Sequence, residues 1–126
     1  MMTSLFSVAL GGAIGASLRY GVGVWLFRAF GPTGFPFGVI SVNIIGSFLM
    51  GVLVVLAAQK GLTHLNPFLA VGVLGGFTTF SSFSLETVNL IEKGQFGMAG
   101  AYVVLSVVLS VAGLLLGLWC ARGVWA

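Results

Sequence analysis

Four stretches of this chain carry no charged side chain: 1–18, 29–59, 61–85 and 94–121, or 18, 31, 25 and 28 residues. A helix needs about 20 apolar residues to cross roughly 30 Å of hydrocarbon, so each stretch supports one crossing. Only 6% of the 126 residues are charged and 59% are hydrophobic, whereas soluble domains carry about 25% charged residues. Five basic and two acidic groups cannot coat a soluble particle. The chain reads as an integral membrane protein.

Proline and charge divide it. Span one covers about 4–27 and ends at Arg28, before the turn Gly31-Pro32-Thr33-Gly34-Phe35-Pro36. Span two covers about 36–58 and stops at Gln59-Lys60-Gly61. Asn66-Pro67 opens span three, about 67–91, with proline suited to a first helical turn. Glu92-Lys93-Gly94 closes it, and span four covers about 97–121. The first segment has no basic run at Met1-Met2-Thr3 and is interrupted by Arg19, so it reads as a retained span rather than a signal peptide. Backbone in lipid must satisfy its own hydrogen bonds, and these spans are too long and too unalternating for barrel strands. An all-α, four-helix transmembrane domain over 1–126 is expected, with short loops that make neighbouring helices antiparallel.

The net charge of +3 comes from scattered residues with no basic face, so it is no nucleic-acid signal. The single cysteine, Cys120, excludes an intrachain disulfide and a cysteine-built metal cluster. Four crossings put Lys60 and Arg122 on one side and Arg28 and Lys93 on the other, with Arg19 inside span one nearer the second group. Basic residues normally collect on the cytoplasmic side. So flat a balance leaves two readings open: either both orientations insert, permitting an antiparallel homodimer, or Arg19 decides the orientation.

The 20 glycines fall at helical spacing with other small residues: Gly11, Gly15, Arg19 and Gly23; Asn43, Ser47 and Gly51; Ser106, Ser110, Gly113 and Gly117. Such stripes let helix backbones approach closely in lipid, and thin helices with small faces argue for association with another copy. Arg19 inside a span either snorkels or lines an anion vestibule. Asn43 either bonds to another helix or lines a pore. Glu86 offers a coupling carboxylate or a structural acceptor, and His64 lies in a loop. Trp25, Trp119 and Trp125 fit interfacial anchors.

Span three is the densest segment, reading Gly75-Gly76-Phe77-Thr78-Thr79-Phe80-Ser81-Ser82-Phe83-Ser84-Leu85-Glu86. Paired glycines followed by β-branched and hydroxyl residues make a poor helix centre. Two outcomes fit: a break exposing carbonyl oxygens, which are ligands for hard cations, or a kink filled by hydroxyl side chains. Phe80 and Phe83, three apart, share a face. Rings presented edge-on hold a small anion weakly through their positive rims, and weak binding is what conduction needs; a packing pair is the alternative. Tyr102, Ser106 and Ser110 repeat at helical spacing and form either a ladder of donors or back-bonded hydroxyls.

With these motifs the sequence resembles the Fluc/CrcB family of fluoride channels. The likeness rests on Gly11-Gly12-Ala13-Ile14-Gly15-Ala16-Ser17-Leu18-Arg19, on Val42-Asn43, and on Gly75 through Ser84 with Glu86. It implies an antiparallel dual-topology homodimer with two pores, a third helix broken at its centre, and passive export of cytoplasmic fluoride that enters cells as HF. It further implies Phe80 and Phe83 as the ring pair, Asn43 as an amide donor to the ion, and Arg19 at the vestibule. Tyr102, Ser106 and Ser110 become a polar track, and the carbonyls of Gly75 and Thr78 hold a central structural Na⁺. The resemblance implies a channel and not an enzyme; the Gly-Gly-Phe-Thr-Thr run lacks the lysine of a phosphate-binding loop.

Two positions depart from the family pattern. Gly38-Val39-Ile40-Ser41-Val42-Asn43 lacks a hydroxyl that related sequences often carry at the place of Val39, and Ser82 replaces a frequent threonine. The main alternative is a small dual-topology multidrug/proton antiporter. That activity needs an intramembrane carboxylate, which that family places in span one, where this chain has Arg19; Glu86 is the only carboxylate at depth. A scaffolding subunit of a larger complex is a third reading.

Overall fold

The structure, a computed structural model, describes residues 2–31 and 36–125. The expected turn residues Pro32 through Phe35 and the Trp125 side chain lie outside the described residues. Helix α1 is Met2–Phe30, α2 is Phe37–Lys60 and α5 is Phe96–Trp125. The third crossing is composite. A π-helical segment, Pro67–Leu74, runs into one α-turn, α3, Gly75–Phe77; after an interruption α4, Ser81–Glu92, continues. Among the described residues, four helical stretches are long and apolar enough to cross a membrane. At about 1.5 Å per residue, the 24 residues of α2 suffice for the hydrocarbon layer. The chain is a multi-pass membrane protein.

The ends are closed by glycine. Gly94 takes φ 77°, and the N–H groups of Gly94 and Gln95 donate to the carbonyls of Ile91 and Leu90, both at 2.9 Å. That left-handed closure satisfies carbonyls that a helix terminus otherwise leaves orphaned. Gly61 ends α2 in the same way at φ 67°, with Leu62 N–H donating to Ala57 O at 2.8 Å.

Packing forms two helix pairs, α1 against the π segment with α3, and α2 against α5. Small residues make both contacts. A methyl on Gly11 would lie 2.9 Å from Gly72 Cα, one on Gly76 would lie 2.8 Å from Gly12 O, and one on Gly15 would strike Val73 O. On the other pair, Gly51 abuts the Leu114 carbonyl and Gly117 the Phe48 carbonyl. These are the backbone-to-backbone approaches expected where lipid offers no hydrophobic drive between helices. A methyl on Gly23, which continues the sequence stripe, would meet nothing within 4 Å: the backbone-to-backbone contact of α1 with the third crossing is made at Gly11 and Gly15 and does not extend to Gly23.

A cluster of Ile40, Leu90, Ala99 and Tyr102 pins the start of α2, the end of α4 and the start of α5, with Val39 and Phe83 packed on it. The π segment was not foreshadowed by any periodicity. Its wide turn shows in Gly75 N–H reaching Ala70 O, five residues back.

Candidate functional site

The interruption in the third crossing organises the site. Thr78 is extended, at φ −86° and ψ 161°, so the helical hydrogen-bond ladder ends with Thr78 N–H, which donates to Leu74 O at 3.0 Å. Side chains then take over. Thr79 N–H donates to Asn43 Oδ1 at 2.8 Å, and Asn43 Nδ2 donates to Thr79 O at 3.0 Å. Ser82 N–H donates to Thr79 Oγ1 at 3.2 Å, which caps α4. Thr78 Oγ1 donates to Leu74 O at 3.0 Å. From the opposite side, Arg19 Nε donates to Gly76 O at 3.1 Å.

Asn43 therefore has the interhelical partner that a buried amide requires, while keeping its second N–H. Arg19 is half-buried and directs one donor to a main-chain carbonyl inside the bundle. That bond uses Nε and leaves the terminal N–H groups of the guanidinium available.

The diverted donors identify two carbonyls. In a continuous helix Gly75 O would accept from Thr79 N–H and Thr78 O from Ser82 N–H. Both donors point elsewhere, to Asn43 and to the Thr79 hydroxyl. Among the described residues no cluster of three or more His, Cys, Asp or Glu exists. Main-chain oxygens freed in this way are the oxygen donors a hard cation accepts, so Gly75 and Thr78 fit a Na⁺ ion chemically, with two oxygens per chain.

A groove of ≈ 460 Å³ runs from this interruption along α2 and α5. Asn43, Phe80, Phe83, Ser106 and Ser110 all line it, together with Ser47 and Thr79. None of its lining residues is charged. The rings of Phe80 and Phe83 stand 5.5 Å apart at 54°, tilted against each other rather than stacked in parallel. Phe83 also packs on Tyr102 at 5.2 Å and 40°; Tyr102 is fully buried behind the groove, in the cluster described above. Ser106 Oγ is buried without a hydrogen-bond partner. Arg19 and Gly75 lie outside the groove lining, whereas Thr78 is in it. His64 is exposed on a short turn and Glu86 is half-buried on α4.

Sequence reasoning placed Asn43, Phe80, Phe83 and the two serines of α5 as candidates, and the fold gathers them in one groove. Thr79 was missed as the residue that holds Asn43. Ser47 was read only as part of a small-residue stripe, although its spacing of four from Asn43 puts both on one face.

A four-crossing membrane protein with an uncharged polar and aromatic groove at a helix interruption is the class that fold and site define. Residues 6–118 match the family described as CrcB-like protein, Camphor Resistance (CrcB), and the chain belongs to that family. A relative from Ruegeria sp. (strain TM1040), named fluoride-specific ion channel FluC, is 64% identical over 98% of both chains. One of the same name from Roseobacter denitrificans is 62% identical over 98% of this chain and 99% of its own. Another, from Paracoccus denitrificans, is 49% identical over the whole of both.

Proposed function

We propose that this protein is a fluoride channel that lets cytoplasmic fluoride leave the cell passively, down its electrochemical gradient. The observation that carries the reading is the groove: two tilted phenyl rings, an amide and two serine hydroxyls line it with no formal charge. A full positive charge would hold an anion too tightly to release it. Ring edges and neutral donors attract a small, strongly hydrated halide weakly and replace its water at short range. Larger halides sit too far from donors spaced for fluoride. The relatives named fluoride-specific ion channel support the same ion.

The working form is an antiparallel homodimer. In one chain Phe80 is 78% exposed and the groove lies open along its length, so a second copy supplies the missing wall. With two chains in opposite orientations, two grooves close into two pores, and Arg19 stands at the aqueous entrance of each. Tyr102 backs the ring pair. At the centre, Gly75 and Thr78 of both chains would hold one Na⁺, which supplies a fixed cross-link between the two interrupted helices.

Liposomes containing only the purified protein test this. Fluoride efflux should greatly exceed chloride efflux, should not depend on a proton gradient, and should fall when Na⁺ is removed from both sides. Phe80→Ile or Phe83→Ile should lower fluoride efflux by about tenfold or more, the factor that about 1.4 kcal/mol of lost interaction represents, with the dimer intact on sizing. Fluoride movement strictly coupled to protons would point to an antiporter instead. Undiminished flux in both variants would remove the rings from the pathway.

A further inference from the structure

We infer that Ser47 is a further fluoride-binding residue, the α2 hydroxyl that lines the groove together with the α5 serines. The inference rests on the channel reading above. Positions 39, 43 and 47 stand on one face of α2 at helical spacing, and the fold gives each a different environment. Val39 packs into the apolar cluster around Tyr102, Asn43 holds Thr79 at the helix interruption, and Ser47 opens into the groove one turn further on. Along this face the hydroxyl absent at Val39 reappears at Ser47, next to the pore instead of within the core.

The hydroxyl is also free to donate. Serine and threonine in membrane helices commonly bond back to their own helix. Ser17, Ser84, Thr78 and Thr87 do so here, donating to the carbonyls of Ala13, Phe80, Leu74 and Phe83 at 2.7, 3.0, 3.0 and 2.8 Å. Ser47 makes no such bond, nor do Ser106 and Ser110, which line the same groove. An unengaged hydroxyl beside a low-dielectric passage costs stability unless something accepts its proton. A fluoride ion passing along the groove that α2 and α5 line is such an acceptor, and donors from both helices let it exchange water for protein at each step. Ser47 thus continues the path that begins at Asn43, one turn deeper.

The test is fluoride efflux from proteoliposomes as a function of fluoride concentration for wild type, Ser47→Ala, Ser47→Thr and Phe80→Ile. Ser47→Ala should raise the half-saturating fluoride concentration about tenfold, as expected for one lost hydrogen bond to a charged partner. Ser47→Thr keeps the hydroxyl and should stay near wild type, and both variants should match wild type in sizing and unfold at no lower temperature. A wild-type saturation curve for Ser47→Ala, alongside impaired Phe80→Ile, would overturn this inference and leave the channel reading standing. If Ser47→Thr is impaired as severely as Ser47→Ala, side-chain packing and not the hydroxyl matters, and the inference again fails. Absence of fluoride flux from the wild type itself would remove the channel reading and this one with it.

Discussion

At the helix interruption the peptide groups of Thr79 lose their helical partners, and Asn43 supplies both replacements through a single amide, at 2.8 and 3.0 Å. Each orphaned buried group costs about 1–3 kcal/mol. Asn43→Ala should therefore lower stability by at least about 2 kcal/mol, measured by thermal or detergent-induced unfolding of the purified protein. Wild-type stability in that variant would mean that Thr79 finds other partners. That Asn43 needs a partner was legible from its place in an apolar span, because a buried amide must be paired. Its partner was not legible: sequence does not set the register of one helix against another. The same gap explains Arg19, whose cost in a span was plain but whose acceptor, Gly76 O, depends on where the third crossing is interrupted.

At the scale of helices, the small-residue stripes were read correctly as contact faces but not in extent. Gly11 and Gly15 press α1 onto the third crossing, whereas a methyl on Gly23, on the same stripe, would meet nothing within 4 Å. Spacing reports which face a residue occupies and is silent on where a neighbouring helix diverges. Gly15→Ala would drive a methyl into Val73 O and to 2.8 Å from Phe77 N, backbone atoms that can move only by separating the helices. It should destabilise the fold by about 1–3 kcal/mol, the usual range for overpacking, and lower folded yield. Gly23→Ala should be neutral or stabilising by up to about 1 kcal/mol, since alanine is the better helix former. Parallel unfolding of the two variants checks this, and equal losses would contradict the confined contact. The Trp25 and Trp119 rings, 64% and 73% exposed, are placed to reach the headgroup region expected of interfacial anchors.

For the whole molecule the four span-end basic residues form the most informative pattern. Lys60 and Arg122 end α2 and α5 on one side, and Arg28 and Lys93 end α1 and follow α4 on the other; all four are exposed. Two against two gives the insertion machinery no bias to read, as the proposed dual-topology dimer requires. The bias can be imposed. Arg28→Gln with Lys93→Gln leaves the span-end basic charge on the Lys60 side alone, and Lys60→Gln with Arg122→Gln does the reverse. Each double variant, expressed singly, should insert predominantly one way, read by accessibility of a cysteine label at a loop, and should support little fluoride efflux because antiparallel partners are scarce. Co-expressed, the two should pair and regain most of the efflux, since none of the four substitutions lies in the groove. Full efflux from either one-way variant alone would show that a parallel pair or a lone chain conducts. The open groove beside Phe80 would then need a different wall.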